Sequence, residues 1–213
     1  MANLIILAIL IALLVIVLMQ LFKKSQPSAG SNPPQDLANL KVSDARAGDV
    51  ISIAGAGDDL NDLDFTSDRL TRYEASGRRW FELSGGYRER RVALRVAGDD
   101  ELEVHLHNDK RSLSLEDLGL AEEDLAQMDE RQNTADSFEF DDKVWLYRRS
   151  REVKAWRTGQ TQSSSFYYWE FHEQGGNRLL EIRKSEAEPF AVAAYTGIAP
   201  GDVSVYRPGG LTS

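Results

Sequence analysis

The sequence predicts a mainly β protein that carries one transmembrane helix at its N-terminus. Residues 4–22 are almost entirely apolar, whereas from residue 40 onward apolar and polar side chains alternate between turns rich in glycine and aspartate. Alternation with a period of two is typical of β-strands, and an unbroken apolar stretch of this length is typical of a membrane span. We therefore expect a transmembrane anchor at 1–24, a flexible Pro/Ser-rich linker at 25–40 and a soluble, antiparallel β-rich domain at 41–213 with one or two short helices.

The anchor is predicted from nineteen residues, Leu4–Phe22, in which Gln20 is the only polar side chain. At roughly 1.5 Å per residue they form about 28 Å of helix, close to the ~30 Å hydrocarbon core of a bilayer. A cleaved signal peptide fits less well because no basic residue precedes the stretch, and a buried core helix seldom lacks a polar face. Lys23 and Lys24 follow the stretch. The positive-inside rule therefore predicts a single-pass protein of the inner or plasma membrane with a cytoplasmic C-terminal domain.

The linker and the overall charge limit the classes of partner. Residues 25–39 contain three prolines among serine, glycine and asparagine, a composition that stays extended and solvated. The chain has 34 acidic and 25 basic residues and a net charge of −9, which argues against binding of nucleic acid or anionic lipid through net charge. Any such binding would need a local basic patch. The absence of cysteine agrees with a reducing compartment.

Turn residues divide the domain into short alternating segments that predict strands, with one convincing helix. The helix is expected at Ala121–Glu130, where carboxylates in the first turn favour the positive end of the helix dipole, and Ser114 and Asp117 form a weak capping box before it. Asp58–Asp68 is expected to be an acidic loop. Strands are expected at Val50–Ala54, Leu70–Glu74, Trp80–Ser84, Arg91–Val96, Glu101–His107, Ser137–Phe140, Lys143–Arg149, Val153–Arg157, Phe166–His172, Arg178–Lys184, Phe190–Thr196 and Val203–Tyr206.

Two parts of the domain resemble each other. In each, an aromatic strand containing glutamate (Trp80–Leu83 or Trp169–His172) is followed by a predicted Gly-Gly turn, Gly85-Gly86 or Gly175-Gly176, and then by a strand that mixes basic and apolar residues. One interpretation is an internal duplication, and the other is that any two tryptophan-bearing hairpins look alike. In the first case, the two units are 45–110 and 137–207, joined by an acidic helical segment at 111–136.

Several short motifs, in order along the chain, resemble one bacterial family. They are Gly48-Asp49-Val50-Ile51, Arg72-Tyr73 with Trp80-Phe81-Glu82-Leu83, LSLEDLGL at Leu113–Leu120, and Tyr168-Trp169-Glu170-Phe171 with Leu180-Glu181-Ile182. Together they are similar to the proteins catalogued as domain of unknown function 4178, over roughly 45–206. Members often sit in gene neighbourhoods with membrane-stress proteins. The resemblance implies an accessory protein of a membrane-associated system, and it carries no catalytic residues to map.

Candidate catalytic and metal-ligating residues are few. His105 and His107 share one face of a predicted strand but lack further ligands nearby, so two surface histidines are expected rather than a metal site. The acidic loop lacks the glycine and glutamate of an EF-hand, which favours a solvated loop. The strand residues Glu82, Glu170 and Glu181 could be buried acids with raised pKa values, but facing the neighbouring arginines explains them more simply. No cofactor, metal or catalytic residue is predicted.

Charge is distributed in blocks along the domain. Residues 69–95 hold eight arginines against three glutamates, residues 99–142 hold sixteen acids against three bases, and residues 143–184 hold nine bases against four acids. The blocks either neutralise each other within the fold or leave a basic face for anionic lipid or a partner. The residues of this predicted patch are Arg79, Arg88, Arg90 and Arg91. A second candidate site, an aromatic pocket, is formed by Trp145, Trp156, Tyr168 and Trp169, with burial in the core as the alternative.

The sequence therefore favours a membrane-anchored, non-enzymatic adaptor or scaffold of a membrane-associated assembly, of the envelope-stress kind that the resemblance implies. One alternative is a β domain that senses a small ligand or an anionic lipid. Another is an enzyme with acidic catalytic residues, which would need convergent carboxylates in a cleft. The expected partners are the bilayer and other membrane-associated proteins, not nucleic acid, and the oligomeric state stays open.

Overall fold

The computed structural model describes residues 40–98 and 101–208, which form a mainly β domain with one α-helix, α1 (Glu122–Arg131). The predicted anchor and nearly all of the predicted linker lie outside these residues. The described part of the chain contains no helix with the length and hydropathy needed to span a bilayer. The strands are β1 (Val50–Ile53), β2 (Leu63–Ala75), β3 (Arg78–Tyr87), β4 (Arg90–Ala97), β5 (Glu103–His107), β6 (Ser137–Phe140), β7 (Lys143–Arg157), β8 (Ser164–Glu173), β9 (Arg178–Lys184), β10 (Ala191–Ile198) and β11 (Val203–Tyr206).

Eight of these strands close into an antiparallel barrel. Strands β2 to β5 follow one another as a meander, and so do β7 to β10. The two meanders meet at β5 and β10 on one side and at β2 and β7 on the other, where Tyr73 lies opposite Ala155. The remaining strands extend the sheet, because β1 pairs with the beginning of β2 and with β11, and β6 pairs with the beginning of β7.

The barrel interior holds a network of charged side chains beside a third apolar cluster, and the exterior of the barrel is apolar. Residues that lie opposite each other in a ladder share a face, so Glu82, Arg95 and His105 point to the same side of β3, β4 and β5. Arg95 reaches Glu170 on β8, a strand that does not neighbour β4, so this side is the interior. Aliphatic residues that alternate with these charged residues along the strands, such as Leu94 beside Arg95, point outward.

Two apolar cores cover the outside of the barrel. The first packs β1, β11 and the residues before β1 against the outward side chains of β3 to β5, with Ile51, Val205 and Leu94 fully buried. The second packs α1 and the chain before it against β7 to β9, with Leu125 and Phe171 fully buried. Each core buries an outward-facing apolar surface of the sheet that would otherwise be exposed to water.

The helix lies where the sequence places it. Its first turn carries Glu122, Glu123 and Asp124, and the Asp124 carboxylate accepts a hydrogen bond from the Ala121 amide at 2.8 Å. Ser114 and Asp117 form the predicted reciprocal hydrogen bonds, although these lie at a short 3₁₀ turn (Glu116–Leu118) rather than at the start of α1.

Three details of the strand prediction were wrong. Residues 63–68 of the predicted acidic loop belong to β2, and Val153–Arg157 continues β7 instead of forming a separate strand. Gly85 and Gly86 lie inside β3, and the turn to β4 is made by Arg88 and Glu89. A glycine is needed at 85 because a Cβ there would collide with the carbonyl oxygen of Thr66.

The two meanders occupy equivalent places in the barrel, and both long strands carry a bulge, after Ser67 in β2 and after Tyr147 in β7. The two tryptophans that suggested a repeat do not correspond in orientation. Trp80 packs with Tyr73 and Tyr168 inside the barrel, whereas Trp169 belongs to the outer core that α1 covers. Internal duplication stays a prediction.

Candidate functional site: the barrel interior and two openings

The barrel interior contains a network of ion pairs that links strands across the lumen. Arg95 bonds Glu170 at 3.1 Å and also contacts Glu181, and each of these three side chains is at most 3% exposed. Glu170 is contacted in addition by Arg149 at 3.1 Å and by His172 at 3.2 Å. Burial alone would raise the pKa of Glu170, but the hydrogen bond from His172 and the charges of Arg95 and Arg149 outweigh it and lower that pKa.

A second arginine extends the network toward β2, β3 and β10. Arg183 donates to Glu181 at 2.6 Å, to Glu82 at 3.2 Å and to the Tyr195 hydroxyl at 3.1 Å. The Tyr195 hydroxyl donates in turn to Glu82 at 2.9 Å. Burial would raise the pKa of Glu82, yet the charge of Arg183 and the hydrogen bond from Tyr195 lower it. Burial raises the pKa of Tyr195, so this phenol stays protonated.

These residues hold charge rather than move protons. Glu82 and Glu170 lie against arginines and have lowered pKa values, so they are ionised and have no proton to donate near neutral pH. The simpler explanation of Glu82, Glu170 and Glu181, that they face arginines, is therefore confirmed, and the raised pKa values considered for them are wrong for Glu82 and Glu170.

His105 and His107 point into the barrel, so the prediction of two surface histidines was wrong. His105 is opposite Arg95, and burial together with that charge lowers the pKa of His105 to about 4. His107 lies opposite Ala93, and its Nδ1 is 2.8 Å from the carbonyl oxygen of Ala194. Within residues 40–98 and 101–208, no three histidine, aspartate or glutamate side chains are grouped to hold a metal ion.

The network reaches a small cavity at one mouth of the barrel. This mouth cavity has a volume of about 200 Å³ and is lined by hydroxyl groups and two arginines. The Arg183 guanidinium lies 5.3 Å from the ring centre of Tyr73 and 5.4 Å from that of Phe166, so the two rings frame it. The polar lining consists of Thr71, Tyr73, Arg157, Ser164, Ser165, Arg183, Ser185 and Glu188.

A larger opening, which we call the outer groove, lies outside the barrel and has a volume of about 870 Å³. Its floor is a row of side chains across neighbouring strands, because Arg72 is opposite both Trp156 on β7 and Phe81 on β3. Lys41 and Arg79 also line it. Neither Arg72 nor Arg79 forms an ion pair with another described residue. Glu74 is the one acid among the described residues of the lining, so the groove combines aromatic surface with an excess of positive charge.

Comparison with known proteins adds no identification. No family model, curated protein or solved structure matches this chain. The resemblance to domain of unknown function 4178 accordingly stays a prediction.

The four arginines of the predicted basic patch do not form one surface. Arg88 and Arg90 converge on Asp58 with Lys110, at 2.5, 3.0 and 3.2 Å respectively. The bond from Arg90 is the main cause that lowers the pKa of Asp58 to about 2. Arg91 pairs with Asp68 at 2.7 Å. Acids of the 58–68 segment thus neutralise much of this positive charge within the fold.

Arg79 is the remaining residue of that patch. It lies at the outer groove, opposite Glu74 in the ladder of β2 and β3.

The aromatic residues of the predicted pocket lie in three different environments. Trp145 and Trp169 belong to the outer core, and their indole nitrogens donate to the carbonyl oxygens of Phe140 and Leu125. Tyr168 is inside the barrel, and the centre of its ring lies 5.9 Å from that of Trp80. Trp156 lies in the outer groove.

Sequence reasoning missed Arg183, Arg157 and the interior position of Arg95. The available signal was a charged residue between two aliphatic ones in a strand, as in Leu94-Arg95-Val96 and Leu180-Glu181-Ile182. The aliphatic neighbours indicate that one face of the strand is buried. In this domain the opposite face, which carries the charged residue, is buried as well.

Proposed function

We propose that this chain is a membrane-anchored adaptor whose β domain binds an acidic, partly apolar segment of another membrane-associated protein in the outer groove. The observation that carries the proposal is the row of Trp156, Arg72 and Phe81, flanked by Arg79 and Lys41. Aromatic and arginine side chains are the residues that most often dominate binding energy at protein interfaces.

The position of the groove along the chain agrees with a role at the bilayer. Lys41, which lines the groove, is the first residue after the predicted linker, and the linker follows the predicted anchor. A partner held at the same membrane meets the groove at a raised effective concentration. The closed barrel, tied together by ion pairs across its lumen, supplies a rigid support for that surface.

Site-specific photocrosslinking of the full-length protein in its own cells tests the proposal. A photoreactive residue at position 156 should form an adduct with a membrane-associated protein, and the adduct should disappear with Arg72→Glu plus Arg79→Glu. Arg148→Glu is the matched control, since Arg148 is exposed on the same strand and forms no ion pair with a described residue. Adducts that persist in the double variant would refute the groove as the binding surface. Removing residues 1–24 should weaken the adduct if tethering concentrates the partner.

A lipid role is the second candidate, and a specific observation favours it. Lys41, Arg72 and Arg79 are three cations beside aromatic side chains, the combination expected of a surface that meets anionic headgroups. Each such cation contributes about 1 kcal/mol near an anionic membrane. The chain lacking residues 1–24 should then co-sediment with vesicles containing anionic lipid and not with neutral ones. Equal binding by the Arg72→Glu/Arg79→Glu variant would reject this role.

A further inference from the structure

We infer that the mouth cavity of the barrel is a binding site for a compact oxyanion, namely a small molecule that presents a carboxylate or a phosphate group. The site is distinct from the outer groove, although Tyr73 lines both. It is defined by Arg183 between the rings of Tyr73 and Phe166, Arg157, and the hydroxyl groups around them.

The guanidinium of Arg183 has donor capacity that the fold does not use. A guanidinium carries five N–H groups. The Nε and Nη2 groups of Arg183 are engaged with Glu82, Glu181 and Tyr195, but Nη1 donates only to the Tyr73 hydroxyl, at 3.3 Å, among the described residues. The side chain is 22% exposed, so it is reached from the cavity. An oxyanion that enters the cavity can accept a hydrogen bond from the remaining N–H group of Nη1.

The charge of the surroundings favours an anion. Inside the barrel, the four arginines Arg95, Arg149, Arg151 and Arg183 face the three glutamates Glu82, Glu170 and Glu181, so one positive charge is in excess. The Arg151 Nε is buried and has no hydrogen-bond partner among the described residues. Because the interior has a lower dielectric constant than water, it screens this positive charge less, so the charge attracts an anion at the mouth more strongly.

The walls of the cavity supply further donors and one opposing group. Arg157 lines the cavity and pairs with no described acid, and Ser164, Ser165 and Ser185 contribute hydroxyl groups. Glu188 is the opposing carboxylate, and its backbone oxygen accepts a bond from Lys184 at 2.8 Å, which holds a third cation, after Arg157 and Arg183, near this segment.

The size of the cavity selects small ligands. Sites for drug-sized ligands have volumes of roughly 300–1,000 Å³. The mouth cavity has about 200 Å³, so it fits a small carboxylic acid or a phosphate group and not a nucleotide.

Thermal unfolding of the full-length protein in detergent tests the inference, with inorganic phosphate and acetate as separate probes and chloride at equal ionic strength as the reference. We expect at least one oxyanion to raise the melting temperature in a saturable manner. A response to phosphate alone assigns a phosphate ligand, a response to acetate alone assigns a carboxylate, and a response to both assigns the shared chemistry. No response to either beyond that of chloride would overturn the inference.

Two variants locate the effect in the cavity. Arg157→Gln removes an exposed cation from the wall and should weaken the apparent affinity about tenfold or more. Arg79→Gln, in the outer groove, should leave that affinity unchanged while it weakens the adduct at position 156. Equal affinity in wild type and Arg157→Gln would show that the anion binds elsewhere and would overturn the inference, whatever the fate of the groove.

Discussion

Replacing Glu170 by glutamine should destabilise the domain far more than the loss of a surface ion pair does. The carboxylate is 1% exposed and contacts Arg95, Arg149 and His172, which lie on three different strands. Glutamine has nearly the same shape, so the substitution removes the charge and leaves the packing almost unchanged. The arginines then remain buried with one anion fewer.

The size of the effect follows from the contacts that remain. Removing one partner of a buried ion pair typically costs 3–5 kcal/mol, roughly. Arg95 keeps its contact with Glu181, so we expect the lower end of that range, about 3 kcal/mol. With a denaturant dependence of about 2 kcal/mol per molar urea, the unfolding midpoint should fall by about 1.5 M.

Urea unfolding followed by tryptophan fluorescence measures this midpoint. Glu103→Gln is the matched control, because Glu103 forms a single pair with Arg78 and its side chain is 54% exposed. Such exposed pairs contribute about 0–1 kcal/mol, so the control should shift the midpoint by less than about 0.5 M. If Glu170→Gln shifts the midpoint no more than Glu103→Gln does, the interior network does not stabilise the fold as argued.

Three further predictions concern the pH response, the barrel wall and the helix. The folded state depresses the pKa of His105 from 6.5 to about 4, so the unfolded chain takes up the proton first and the unfolding free energy should fall by roughly 1–2 kcal/mol as pH drops from about 6.5 to 4.5. The variant His105→Gln should lose this slope in urea titrations at several pH values, and equal slopes would contradict the assignment. Gly85→Ala places a Cβ against Thr66 O and 2.7 Å from a ring carbon of Phe65, so its melting temperature should fall by roughly 6 °C or more. Gly86→Ala, with nothing within 4 Å of its added Cβ, serves as the control, and similar melting temperatures of the two variants would refute the close approach. Leu125→Ala should cost about 2–5 kcal/mol in urea unfolding, because Leu125 is fully buried, and a cost below about 1 kcal/mol would mean that α1 does not cover the second core.

The sequence was sufficient for the mainly β class, for most strand positions and for α1. Those features depend on local alternation and on turn and capping residues, such as Asp124 at the start of α1. The bulges were not predictable in this way. After Tyr147 one residue is left unpaired, so Arg149 points into the barrel although it lies two positions from an outward-facing tyrosine.

Closure of the sheet explains why the candidate site was not predicted. Alternation identifies two faces of a strand but does not show which one becomes enclosed. A polar face that alternates with Leu94 and Val96 is expected to meet solvent, and here it meets Glu170 and Glu181 from the other half of the chain. The partners are 75 or more residues apart in sequence, so only the pairing of β2 with β7 and of β5 with β10 brings them together.

The position of β11 has a consequence for how the chain is made. Val203 and Val205 belong to the same core as Ile51 and Ile53, and the Leu40 amide bonds the Val205 oxygen at 3.3 Å. β1, the first of the described strands to leave the ribosome, is therefore completed by β11, the last of them. Until β11 has been synthesised, the apolar residues of β1 lack their contacts with Val203 and Val205. The domain must therefore finish folding after residues 203–206 have been made, rather than progressively from its N-terminus.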